Sequence, residues 1–128
     1  YDLHREGGHS DFRILHHADD TGFEIQRGLM NAVRANPNIT VFENHYAVEI
    51  ITQHHLGIKV TRRTPDIECY GAYILNPETK KVDTFLSKVT LMATGGVGAV
   101  YAMTSNPEIA TGDGIAMVYR AKGTVKHF

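Results

Sequence analysis

The chain has 128 residues, enough for one domain with a modest hydrophobic core. Its 42% hydrophobic residues, 21% charged residues and net charge of −1 are typical of a globular segment and argue against a nucleic-acid or anionic-membrane partner. The single cysteine, Cys69, excludes an internal disulfide framework and a cysteine zinc cluster, and no apolar run approaches the roughly 20 residues that span a bilayer.

The N-terminal third predicts a loop followed by a helix. Residues 1–19 are polar, and we expect a loop there with one short extended piece. A helix is predicted over residues 20–36, because Thr21 and Glu24 have the spacing of a capping box and an apolar stripe follows at helical spacing. Pro37 ends this helix, since the residue before a proline disfavours the α region.

Several strands follow in the middle of the chain. Strands are predicted over residues 39–42 and 46–52, the second rich in β-branched residues. A third strand over residues 69–75 and a fourth over 82–85 are separated by the turn 76–80, whose asparagine and proline favour reversal. We therefore expect an antiparallel β-meander.

The last third predicts a buried strand, a glycine turn and a helix. Residues 89–93 are almost continuously apolar, which favours a strand covered on both faces, and Gly95-Gly96 would let the backbone turn and approach a ligand. A helix is predicted over residues 112–122, with Gly123 in the C′ position. The fold class is therefore α/β, with an inserted antiparallel β-meander and helices at 20–36 and 112–122.

Two glycine-rich segments are candidate ligand sites. Gly95-Gly96 ends the predicted buried strand, and residues 111–114 open the last helix, where free N–H groups favour anionic or polar ligands. Asp113 would either cap this helix or accept from a sugar hydroxyl, and both roles are open. Neither a phosphate-binding GxGxxG motif nor a Walker motif occurs.

A third candidate is the polar loop of residues 5–10. It places Glu6, an imidazole and a hydroxyl around a diglycine, which suits either a ligand-contacting loop or a solvated surface loop. The eight histidines show no metal-binding spacing such as HExxH, so we predict no metal site.

Across nearly its whole length the chain resembles the L-aspartate oxidase family, within the wider group of succinate dehydrogenase and fumarate reductase flavoproteins. The shared motifs are REGGHS (5–10), RILH (13–16), ADDTG (18–22), NI (38–39), AV (47–48), ATGG (93–96), TSNP (104–107) and TGDGIAM (111–117). The ATGG and GDG stretches belong to the wider group, whereas REGGHS with RILH indicates aspartate oxidase.

This resemblance implies a fold and a reaction. The fold is the middle part of an FAD-binding domain, and the cofactor is FAD. The reaction is oxidation of L-aspartate to iminoaspartate, with oxygen or fumarate reoxidising the flavin. The product serves quinolinate and NAD biosynthesis in the cytoplasm, with quinolinate synthase as a potential partner.

The resemblance also assigns roles by position. Tyr46-Ala47-Val48 matches the strand edge that contacts the adenine side of FAD, and Ala93-Thr94-Gly95-Gly96 would approach the cofactor through its backbone. Asp113 matches an aspartate that contacts FAD. Glu6 matches a glutamate in the substrate pocket, where it would pair with the ammonium group that aspartate has and succinate lacks.

The family's GxGxxG unit, its capping domain and its C-terminal flavin-contacting segment have no counterpart in this sequence. We therefore expect residues 1–128 to be one segment of a longer protein, with catalytic residues outside it, FAD bound weakly or not at all, and no turnover by itself. Faces meant for the rest of the domain would favour self-association. The alternatives are a succinate- or fumarate-specific flavoprotein and a complete, non-enzymatic β/α interaction module.

Overall fold

The computed structural model describes residues 2–17 and 20–126, in two compact units, Tyr1–Glu43 and Asn44–Phe128. Ala18 and Asp19, part of the ADDTG motif, lie outside the described residues.

The first unit contains a two-stranded antiparallel ribbon and one helix. The ribbon pairs β1 (Asp2–His4) with β2 (Ile14–His16), and the helix is α1 (Thr21–Ala35). The helix predicted over 20–36 is confirmed to within one residue at each end. It ends before Pro37 as expected, with the Asn36 N–H donating to the Val33 carbonyl and the Asn36 backbone extended.

The predicted capping box at the start of α1 is wrong. The N-cap residue is Asp20, which makes no side-chain capping bond, so Thr21 already lies inside the first turn. Its hydroxyl accepts instead from the backbone N–H of His17, at 3.1 Å. Glu24 accepts from Arg27 Nε at 2.7 Å, and this hydrogen bond lowers the pKa of the Glu24 carboxyl.

The strand predicted over residues 39–42 is also wrong, because the backbone there is irregular and lies between turns at 37–38 and 43–44. Asn36 accepts from the N–H group just before this segment and from the N–H group of its first residue. Its side-chain oxygen accepts from Asn38 N–H at 3.0 Å, and its carbonyl accepts from Ile39 N–H at 3.1 Å. Local bonding of this kind by asparagine competes with pairing to another strand.

The second unit contains the predicted β-meander. Its strands are β3 (Tyr46–Thr52), β4 (Cys69–Asn76) and β5 (Lys81–Leu86), antiparallel in the order β3-β4-β5. The β4–β5 turn is closed by the Asn76 side chain, which accepts from the N–H groups of Glu78 and Thr79. The predicted strands at 46–52, 69–75 and 82–85 and their hairpin are thus confirmed.

The rest of this unit consists of short helices and irregular segments. One 3-10 turn, Gln53–Leu56, follows β3, and a second, Gly98–Val100, precedes α2 (Asp113–Arg120). The helix predicted over 112–122 is confirmed with shorter ends. Met117 of α2 is buried, as are Ile50 and Ile51 of β3, and the two elements are in contact in the small core of the unit.

The buried strand predicted over residues 89–93 is wrong. The backbone there is irregular, and Val89 and Leu91 are 83% and 87% exposed. An apolar run shows that a segment suits a buried strand, but the strand forms only where a neighbour supplies backbone partners and covers its faces. None of the strands in the described ranges pairs with residues 89–93.

The C-terminal end of α2 differs from the prediction by one residue. Lys122, and not Gly123, takes the left-handed conformation, with φ of 66°. The Gly123 N–H reaches back to the Val118 carbonyl at 2.9 Å, and a Cβ at Gly123 would lie 2.7 Å from Val118 Cγ1. Glycine is needed at position 123 for close approach to the helix rather than for its φ angle.

No helix among the described residues has the length and apolar character required to cross a membrane.

Gly71, in the middle of β4, gives a direct test of the meander. Its φ is 139°, and a Cβ there would lie 1.9 Å from the Phe85 carbonyl oxygen in β5. Gly71→Ala should therefore lower the free energy of unfolding by about 2 kcal/mol or more, measured by urea unfolding. Gly28→Ala is the control, because it adds a methyl group into open space in α1 and should raise stability by up to about 1 kcal/mol. A neutral Gly71→Ala would contradict the observed β4–β5 packing.

Candidate functional site

The ATGG stretch and the start of α2 lie against each other. The Gly112 N–H donates to the Gly96 carbonyl at 3.1 Å. A Cβ at Gly114 would lie 1.7 Å from Thr94 Oγ1, and one at Gly112 would lie 2.7 Å from Val97 Cγ2. The first turn of α2 can therefore approach residues 94–97 this closely only because positions 112 and 114 are glycines.

A groove of about 380 Å³ runs beside this contact. It is lined by residues of 92–95, of α2 and of 124–126. Gly95 is exposed, with φ of 72°, and a Cβ at Gly95 or Gly96 would meet no atom within 4 Å. These two glycines thus present bare backbone to open space, in contrast to the tightly packed Gly112 and Gly114. Such a surface suits close approach by a flat ligand.

Asp113 lies at the first position of α2, next to this surface. The N-cap residue is Gly112, so Asp113 does not cap the helix through its side chain. Its Oδ2 accepts from the Thr111 hydroxyl at 2.8 Å, and its side chain is exposed. From this position the carboxylate interacts favourably with the helix dipole, and it remains accessible to hydroxyl donors of a ligand.

Tyr46, Ala47 and Val48 begin β3, which is an edge strand of the three-stranded sheet. Tyr46 and Val48 are 61% and 43% exposed. The register with β4 shifts between Ala47 and Glu49, so Val48 lies in a β-bulge. Edge strands present free backbone groups, and bulges redirect them, so this segment suits recognition of a ligand through its main chain.

Arg120 joins the end of α2 to this bulge. Its Nε donates to Glu49 Oε2 at 2.6 Å, and its Nη2 donates to the Val48 carbonyl at 3.0 Å. Glu49 Oε1 also accepts from the Ile50 N–H at 3.2 Å. Sequence reasoning missed Arg120, because its partners lie 71 and 72 residues earlier and only its place in the last turn of a helix was visible.

Glu6 belongs to the first unit. It is exposed and precedes a tight turn, in which the His9 N–H donates to the Glu6 carbonyl at 3.1 Å and Gly8 has φ of 85°. The Nδ1 atom of His9 is buried without a hydrogen-bond partner in the described part of the chain. The diglycine therefore orders this loop into a turn that carries Glu6 and His9.

The predicted site residues are divided between the two units. In the second unit, Ala93-Thr94-Gly95-Gly96 and Asp113 lie at the start of α2, and Tyr46-Ala47-Val48 is bonded to the end of the same helix through Arg120. Glu6 lies in the other unit. Within residues 2–17 and 20–126, no group of three or more His, Cys, Asp or Glu side chains is arranged to hold a metal ion.

Comparison with known proteins gives one consistent result. A sequence model of the FAD binding domain family matches residues 1–128. The chain is 50% identical to "L-aspartate oxidase 2-b, chloroplastic" of Nicotiana tabacum over 98% of this chain and 18% of the relative. It is 48% identical to "L-aspartate oxidase" of Yersinia pestis over 94% of this chain and 22% of the relative. The chain therefore spans about one fifth of the length of these curated relatives.

The contact between α2 and the ATGG stretch predicts the effect of Gly114→Ala. The added methyl group would displace Thr94, so residues 94–96 should lose their position and their amide hydrogens should exchange faster, by about tenfold or more. Hydrogen exchange followed by NMR measures this. Gly96→Ala is the matched control, since its methyl group would point into open space and should leave exchange at Thr94 unchanged. Equal effects of the two substitutions would contradict this contact.

Proposed function

Since this chain belongs to the FAD binding domain family, we propose that it forms part of the FAD-binding domain of an L-aspartate oxidase. The observation that carries this proposal is the identity of 46–50% to plant and bacterial proteins of that name over 94–98% of the chain. The remaining parts of the domain, including the GxGxxG unit, would come from sequence beyond these residues. The complete protein would oxidise L-aspartate to iminoaspartate.

The residues of the second unit fit an FAD molecule in three ways. Gly95-Gly96 offers backbone that no side chain covers, next to a groove. Asp113 offers an exposed carboxylate that can accept from ribose or ribityl hydroxyls. Residues 46–48 offer an exposed strand edge to the adenine ring. Bound FAD would accept the hydride of the substrate, whereas the proposed work of these residues is to bind and orient the cofactor.

Glu6 is the proposed determinant of substrate preference. L-Aspartate carries an ammonium group, and a carboxylate nearby favours that cation while it repels a substrate that is only dianionic, such as succinate. Loss of two electrons and two protons converts the amine of aspartate to the imine. Oxygen or fumarate would take up those electrons afterwards, and iminoaspartate would pass to quinolinate synthesis, with quinolinate synthase as a potential partner.

The exposed apolar side chains support the proposal that these residues belong to a larger domain. Leu86, Val89, Leu91 and Met103 all lie largely open to solvent in this chain. Apolar area of this kind is ordinarily covered by other parts of a domain or by another molecule. We therefore propose that the isolated chain self-associates. We also propose a cytoplasmic location for the complete protein. The names of the plant relatives specify chloroplasts, so cell fractionation is the test that distinguishes the two locations.

The role of Glu6 leads to a prediction for the complete protein. Glu6→Gln keeps the size of the side chain and removes its charge, so the ratio of kcat/KM for aspartate to that for succinate should fall by about tenfold or more. Steady-state kinetics with both substrates measure this. Glu78→Gln, in the β4–β5 turn, is the control and should leave the ratio unchanged. An unchanged ratio for Glu6→Gln would remove Glu6 from the substrate pocket and favour a succinate- or fumarate-type flavoprotein.

A second experiment tests the proposed function as a whole. The complete protein, expressed from its full reading frame, should bind FAD. When L-aspartate is added without oxygen, two-electron reduction of the flavin should remove its absorbance at about 450 nm. The isolated 128-residue chain should show no turnover, because the GxGxxG unit and the capping domain of the family have no counterpart in it. A complete protein that binds no FAD would refute the proposal in favour of a non-enzymatic module.

A further inference from the structure

We infer that Arg120 and Glu49 are positioning residues for the adenosine half of FAD. They would act by holding the backbone of the β3 bulge, and not by touching the cofactor. The inference rests on the proposed function, in which Tyr46-Ala47-Val48 contacts adenine, and it adds two residues to which the family resemblance assigns no role. The observation behind it is that one ion pair binds the peptide groups on both sides of Glu49.

The geometry of this ion pair is specific. The Arg120 guanidinium divides its donors between the Glu49 carboxylate, at 2.6 Å, and the Val48 carbonyl, at 3.0 Å. The second carboxylate oxygen of Glu49 accepts from the Ile50 N–H at 3.2 Å. The Val48 carbonyl and the Ile50 N–H are therefore satisfied by side chains. The planar guanidinium suits this arrangement, because its donors lie in a rigid fork.

The bulge explains why β3 needs such a clamp. Val48 has no partner in the β3–β4 register, so the sheet does not determine the orientation of its peptide group. An unpaired peptide group in an edge strand can rotate. A ligand that bonds to the main chain there would bind more weakly, because only one of the backbone orientations matches it. Arg120 selects one orientation before the ligand arrives. Preorganisation of this kind raises affinity without a direct contact.

Helix α2 connects this clamp to the other proposed cofactor contacts. Asp113 lies at its first position and Arg120 at its last, on a rigid element about 12 Å long. The first turn packs on residues 94–97 through Gly112 and Gly114, and the last turn holds Val48. Arg120 is 50% and Glu49 25% exposed, so the ion pair alone contributes little to the stability of the fold. Its placement on the bulge is therefore better explained by positioning.

The test uses the complete protein and two probes, FAD and ADP, of which ADP carries the adenosine half alone. Arg120→Gln should raise the Kd for both by about tenfold, because binding would then have to fix the orientation of the Val48 peptide group that Arg120 otherwise holds. The KM for aspartate at saturating FAD should change by less than about twofold, since the substrate would bind elsewhere. Arg120→Lys should restore part of the affinity, because an ammonium group can reach Glu49 or the Val48 carbonyl but lacks the fork to hold both.

Two further measurements separate positioning from general loss of structure. Arg27→Gln breaks a comparable exposed ion pair with Glu24, in α1, and should leave the Kd for FAD and ADP unchanged. Without any cofactor, Arg120→Gln should speed amide exchange at Val48, Glu49 and Ile50 while Met117 stays protected. Glu49→Gln, which keeps an acceptor for the Ile50 N–H, should weaken FAD binding in the same direction as Arg120→Gln.

The possible outcomes distinguish the two proposals. If the unsubstituted protein binds FAD and Arg120→Gln binds FAD and ADP equally well, the positioning role is wrong while the proposed function stands. If Arg120→Gln raises the KM for aspartate as much as the Kd for FAD, the residue supports the fold in general and the inference is overturned. If the unsubstituted protein binds no FAD, the proposed function is refuted and this inference with it.

Discussion

The docking of α2 is the constraint on which the second unit depends. At its start, two glycines allow the helix to lie against residues 94–97 at distances that no other residue type would permit. In its middle, Met117 is only 3% exposed and contributes to the core beside β3. At its end, Arg120 bonds to the β3 bulge. An eight-residue helix is marginal by itself, so these tertiary contacts stabilise it and in turn place the proposed cofactor-binding segments.

The glycines of this chain serve different physical purposes, and only some concern a ligand. Gly71 and Gly114 are needed because another part of the chain occupies the space of a side chain. Gly95 and Gly96 face open space, where a side chain would meet no atom of the chain but would obstruct a molecule lying on the backbone. Gly95 also has φ of 72°, a conformation that by itself favours glycine. Packing therefore explains Gly71 and Gly114, the backbone conformation contributes at Gly95, and cofactor binding is the proposed explanation for Gly96. A sequence motif such as ATGG cannot separate these causes, because both require glycine.

The accuracy of the sequence predictions follows the range of the interactions involved. Helix α1 and the meander were predicted with nearly correct bounds, because helical periodicity, β-branched runs and an asparagine turn act within a few residues. The predicted capping box is wrong by one position, because the N-cap residue is Asp20 and Thr21 is already the first residue of the helix. The strands at 39–42 and 89–93 failed because a strand requires a partner elsewhere. The Asn36 carbonyl accepts from the N–H group of Ile39, the first residue of the first, and no described strand pairs with the second.

The sequence by itself determined the elements with local causes, the family and the segments proposed to contact FAD, because glycine motifs and periodic patterns lie within short stretches of chain. The tertiary structure decided how those segments are held. It showed Val48 in a bulge, Asp113 inside the first turn of α2 rather than at its cap, and Arg120 bonded to Val48 and Glu49. These contacts join residues about seventy positions apart, and no local preference specifies which distant groups will meet.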